Sequence, residues 1–62
     1  MTQFKRKTLG GHIKVHRATS REAHNIRGEE CFAESGDWVV EEMGQTVIYS
    51  DELFWENFEM VQ

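Results

Sequence analysis

Polar and apolar positions alternate from His12: Ile13 and Val15 point one way, Lys14 and His16 the other. Period two is the signature of a half-buried strand. Thr19-Ser20-Arg21-Glu22 then has the form of a capping box, with Ala23 and Ile26 on an inner face and Gly28 as a stop. This pattern predicts a helix of two turns at most, and an irregular connection fits the same residues. Glu30-Cys31-Phe32-Ala33-Glu34-Ser35 is a short strand ending at the turn residues Ser35-Gly36-Asp37, and Asp37-Trp38-Val39-Val40-Glu41-Glu42-Met43 is the next. Gly44-Gln45, with glycine first, suits a tight hairpin of the II′ type, after which Thr46-Val47-Ile48-Tyr49-Ser50 returns antiparallel. The three consecutive strands read as a meander. Ser50-Asp51 caps a last helix, in which Phe54, Phe58 and Val61 share one stripe, Glu52, Glu56 and Glu59 the opposite face, and Trp55 the flank between.

These elements predict an α+β domain over residues 1–62: a small, curved antiparallel β-sheet of three to four strands, close to a minimal barrel, with a C-terminal helix over one opening. Trp38, Val40, Ile48, Tyr49, Phe54 and Phe58 are the expected core. So short a chain buries only about 60% of the surface its unfolded form exposes. The single cysteine, Cys31, cannot form an intramolecular bridge. Stability must therefore come from a dense aromatic core or from self-association, and six of the seven aromatics lie after residue 31. No apolar run approaches the roughly 20 residues that span a bilayer, which leads to the expectation of a cytoplasmic protein with no membrane partner.

Charge changes the picture. Residues 1–28 carry all seven basic side chains against the one carboxylate Glu22, a net +6, while residues 29–62 carry ten carboxylates and no basic residue, a net −10. Two readings are open: charge-guided association with a partner, or neutralisation of one half by the other across a sheet. The stretch 1–11, with Lys5-Arg6-Lys7, Gly10-Gly11 and the anchors Phe4 and Leu9, reads as a flexible basic arm or an edge segment. Lys5, Arg6, Lys7 and Arg17 are the candidate phosphate-binding residues of a nucleic-acid module. Against that use stand the ten carboxylates. Glu52, Trp55, Glu56 and Glu59, with Glu41, are the candidate protein-binding residues: spaced carboxylates complement a basic cleft, and an aromatic at the border of a charged face resembles an interface anchor.

The chain's chemistry-bearing residues give little for catalysis or metal. On a strand His12 and His16 lie about 13 Å apart at roughly 3.3 Å per residue, too far to share an ion. Cys31 with His24 could form a nucleophile and base, but a small buried cysteine beside Phe32 accounts for the same residues. Paired carboxylates (Glu29/Glu30, Glu41/Glu42) do not by themselves converge in a pocket. No enzyme activity, cofactor or metal site is expected.

Gly36-Asp37-Trp38-Val39-Val40, Gly44, Ile48-Tyr49 and Phe54 with Phe58 resemble a group of short phage and prophage proteins. Those proteins carry a Gly-Asp-aromatic strand, a glycine hairpin, a Tyr-Pro step and a Phe-containing C-terminal helix. Ile13-Lys14-Val15 with Ala18 looks like that group's N-terminal strand, and residues 19–31 have no counterpart. Here Ser35 stands in place of a proline, Trp38 in place of tyrosine, and Ser50 in place of the proline after Tyr49. The resemblance implies a phage-encoded accessory protein in a bacterial cytoplasm. With the acidic helix face, it leads to the expectation of a non-enzymatic protein that binds and modulates a host bacterial protein of a defence or transcription system. A nucleic-acid-binding module and a homo-oligomeric structural protein are the alternatives.

Overall fold

Strand Trp38–Glu42 is the centre of the molecule because three successive apolar residues, Trp38, Val39 and Val40, are buried on both of its faces, with only its end, Glu41 and Glu42, reaching toward solvent. The computed structural model describes residues 3–7 and 13–61. Among them, in chain order, are β1 (Gln3–Arg6), β2 (Lys14–Arg17), β3 (Glu22–Ile26), β4 (Glu29–Ala33), β5 (Trp38–Glu42), β6 (Gln45–Tyr49), α1 (Asp51–Asn57) and β7 (Phe58–Val61). All pairings are antiparallel, in three small sheets: β2-β5-β6, the β3–β4 hairpin and the β1–β7 pair.

The two faces of β5 are covered by different elements. Trp38 and Val40 join Phe54 and Phe58 in one buried cluster, edged by Phe4, Ile13, Val15 and Tyr49. Val39, on the other face, packs with Ala18 and Ala33 and is edged by Ile48. One face of the three-stranded sheet is thus covered by β1, α1 and β7, and the other by the β3–β4 hairpin. The first cluster is almost wholly aromatic: Trp38 and Phe54 stack at 4.0 Å and 8°, Phe54 and Phe58 at 5.1 Å and 21°, and Phe4 meets both Trp38 and Phe54 edge-on. Such pairs contribute roughly 0.5–1.5 kcal/mol beyond their area burial.

Several expectations are corrected. Among the described residues the fold is β-rich with one short helix, so α+β holds in outline, but the three sheets stay separate and do not close into a barrel. The meander is not formed either, because β4 pairs with β3 and the neighbour of β5 is β2. Residues 19–28 hold no helix. Glu22, His24 and Ile26 are half-buried while Ala23 and Asn25 are exposed, which is strand alternation, and Gly28 closes a hairpin turn. In both two-residue hairpin loops each central residue has positive φ: Arg27 54° and Gly28 81°, Met43 52° and Gly44 76°. These are turns of the I′ kind with glycine second, not II′ with glycine first.

The last helix is also shorter than its apolar stripe. Asn57 Nδ2 donates to the Leu53 carbonyl at 2.8 Å, Phe58 adopts extended backbone, and the chain continues as β7 because β1 offers it a ladder, with Arg6 opposite Phe58 and Gln3 opposite Val61. Residues 3–6, expected as a flexible arm or an edge segment, are therefore a strand paired with β7 alone, with Phe4 half-buried against the aromatic cluster. Leu9, Gly10-Gly11 and His12 lie outside the described residues.

Candidate functional site

Helix α1 is built by its own first turn. The Ser50 hydroxyl accepts from the Leu53 amide at 3.3 Å, and Asp51 and Glu52 place carboxylates where the amide ends of the helix favour them. Asp51 does more than cap. Its Oδ1 accepts from Trp38 Nε1 at 2.9 Å and from Trp55 Nε1 at 3.2 Å, and lies 3.4 Å from the Arg17 guanidinium. The two indole hydrogen bonds, Trp38 first, hold the Asp51 carboxyl below its ordinary range, with Arg17 adding to them.

Trp55 is fixed by this arrangement. One edge is bonded to Asp51, its ring meets Phe54, Trp38 and Phe4 edge-on at 5.0, 5.5 and 5.9 Å, and 39% of the residue remains in solvent. Glu52, Leu53 and Glu56 are exposed beside it, Leu53 by 51%. The other two members of the expected protein-binding set sit elsewhere. Glu59 is on β7, 3.3 Å from Lys5 Nζ in the opposing strand. Glu41 pairs across to Lys14 and Thr46 on the face of β5 that carries Val39, the face away from α1. The acidic helix face is thus Glu52 and Glu56, with Glu59 displaced and Glu41 excluded by strand parity.

The candidate phosphate-binding residues are largely occupied by carboxylates. Arg6 contacts Glu42 through Nε at 3.2 Å and Nη2 at 2.7 Å, lies 3.5 Å from the Tyr49 hydroxyl, and sits over the Phe58 ring. Glu42 raises the Arg6 pKa further, and Arg6 in turn lowers that of Glu42. Lys5 pairs with Glu59, and Arg17 with Asp51 while covering the Trp38 ring and donating to the Gly36 carbonyl. Arg21 pairs with Glu34 at 3.3 Å. Each of these pairs joins the basic half to the acidic half, so the charge asymmetry of the sequence is partly spent inside the fold. Lys7 is exposed, its backbone amide bonded to the Asn57 carbonyl at 2.9 Å.

One cluster was missed by sequence reasoning. His16 on β2 and His24 on β3 both turn Nε2 toward the same carboxylate oxygen, Glu22 Oε1, at 2.8 and 2.9 Å. These hydrogen bonds, His16 first, lower the Glu22 pKa. The available signal was the spacing Glu22-x-His24, which puts both side chains on one face once residues 22–26 are read as a strand. His24 stands opposite Cys31 in the hairpin register, yet its Nε2 serves Glu22, so the nucleophile and base reading gains no hydrogen bond here.

An open groove of about 770 Å³ runs between the β3–β4 hairpin and β6, lined in part by Ile26, Cys31, Phe32, Val47 and Ile48. Among the described residues no helix is long and apolar enough to cross a membrane. Comparison of the chain with family models, with curated proteins and with solved structures finds no match.

Proposed function

We propose that this is a non-enzymatic binding protein that engages a basic surface of another protein through helix α1. The observation that supports the reading is the combination on α1 of an aromatic held in place with unpaired acids around it. Trp55 is oriented by Asp51 and by three aromatic neighbours, while Glu52 and Glu56 extend into solvent without an ion pair among the described residues. An anchor whose rotamer is already fixed loses little entropy on binding, and flanking carboxylates steer a cationic partner. The resemblance to phage proteins supplies the setting: an accessory protein in the bacterial cytoplasm whose partner is a host protein of defence or transcription.

The test is capture from bacterial lysate with the wild-type chain beside Glu52→Lys/Glu56→Lys. Both side chains are exposed, so the double variant should melt within a few degrees of wild type and lose its partner. Glu59 is a poor probe because reversing it also breaks the pair with Lys5. Undiminished capture by the double variant would sink the α1 reading. Retention that disappears with nuclease and with Lys5→Ala/Lys7→Ala would instead favour nucleic-acid binding. Salt-sensitive self-association on a sizing column, with nothing else retained, would favour the homo-oligomer.

A further inference from the structure

We propose that His16, Glu22 and His24 form a binding site for a divalent transition-metal ion of the zinc class, with at least one coordination position left to water or an external ligand. One ligand atom from each residue lies within 4.8 Å of the other two. They come from two different sheets. His16 projects from the face of β2 that carries Val39 of β5, and Glu22 and His24 share the half-buried inner face of the β3–β4 hairpin that covers it. The three groups are thus placed by tertiary packing across a seam, and the fold holds them together before any ion arrives.

Geometry and donor chemistry agree. A tetrahedral zinc ion with bonds of about 2.0–2.1 Å sets its ligand atoms about 3.3 Å apart. The two nitrogen to oxygen separations, 2.8 and 2.9 Å, are shorter by about 0.4–0.5 Å, while the three ligand atoms together span up to 4.8 Å, so retraction of the Glu22 carboxylate and a closer approach of the two imidazoles by side-chain rotation would seat an ion. Two imidazoles and one carboxylate suit zinc, cobalt, nickel or copper, whereas magnesium and calcium take oxygen ligands. Without an ion, one carboxylate oxygen accepts from two imidazole N–H groups. With one, both imidazoles are neutral, bind through Nε2, and carry their proton on Nδ1. Side-chain exposure of 53% for His16 and 25% for His24 leaves a route in from solvent. Three protein ligands on an open seam is the arrangement that retains an exchangeable position.

The experiment is a titration of the untagged full chain with Co²⁺ alone, followed by visible absorption, then displacement with Zn²⁺. Wild type should bind one equivalent, develop the ligand-field bands of a low-coordinate cobalt site, and lose them to zinc. Loss of an outer hydrogen-bond partner costs a metal site about 10–100-fold in affinity, so removing a ligand should cost at least that. His16→Ala, His24→Ala and Glu22→Gln should therefore each weaken zinc binding by 100-fold or more. His16 is exposed, so His16→Ala should keep the metal-free melt of wild type, which separates lost binding from lost folding. Absence of saturable binding by wild type at millimolar cobalt would overturn the site. So would undiminished affinity in folded His16→Ala, which would place the ion on other groups such as Cys31.

Discussion

Asp51 illustrates how much of this molecule rests on single side chains. It satisfies two indole N–H groups through one oxygen, and one of those indoles belongs to Trp38, only 8% exposed. A buried donor left without an acceptor costs more than the hydrogen bond it once made. Asp51→Asn keeps an oxygen and should be the milder change; Asp51→Ala should lower the melting temperature further and shift tryptophan emission, and equal effects of the two would show that the indoles do not depend on it. The Arg6–Glu42 pair yields a pH-dependent counterpart. Its Glu42 is more acidic in the folded chain than its ordinary value of 4.5, so its contribution is complete above that pH and is lost as pH falls through the lower folded value. Glu42→Gln should cost about 1 kcal/mol at neutral pH, and the gap to wild type should close on acidification below 4.5. A gap constant with pH would mean that the pair's charge is immaterial. Partnerships of this kind were not legible in the sequence, since Arg6 and Glu42 are 36 residues apart and nothing local marks one for the other.

Elements were legible where local pattern and tertiary role agreed. The strands β2, β5 and β6 and the start of α1 follow directly from alternation, a glycine turn and the Ser50 cap. Two elements misled for physical reasons. Thr19 to Glu22 satisfies the formula of a capping box, but a helix of two turns cannot sustain itself, and residues 22–26, which that helix would have used, gain a full ladder by pairing with β4. Phe54 and Phe58 are four apart and both fully buried, as a helical stripe requires, although the helix ends between them; strand β7 brings Phe58 to the core by another route. The hairpin loops lend themselves to a quantitative check. Met43 holds φ 52° in a I′ turn while 95% exposed, a conformation that asparagine adopts more readily. Met43→Asn should therefore stabilise by about 0.5 kcal/mol, read as a rise in urea midpoint at constant slope. Gly44→Ala meets no atom within 4 Å, so its cost should be the backbone's alone, about 1 kcal/mol. A loss several times larger would mean that the turn is packed rather than open.

At the scale of the whole molecule, the fold is closed by pairings between distant parts of the chain. The first and last described strands are neighbours, β2 crosses the β3–β4 hairpin in sequence to reach β5, and the aromatic cluster draws on β1, β2, β5, β6, α1 and β7 together. This is the level that the sequence conveyed least. Gln3-Phe4-Lys5-Arg6 has one apolar residue in four, too little to choose between the flexible basic arm and the edge segment that its composition allows. In the fold its charges turn to Glu42 and Glu59 while Phe4 closes the core. A domain of this size has only about 3–9 kcal/mol of stability, at 0.05–0.15 kcal/mol per residue. Deleting residues 1–7 removes Phe4 from three aromatic contacts and leaves β7 without its ladder, a loss on the order of 3 kcal/mol and of 10–20 °C in melting temperature. A free arm would predict no change. The deletion therefore separates two physical roles for the same basic stretch, closing strand or outward-reaching charge, by a thermal melt that requires no partner and no knowledge of what the protein binds.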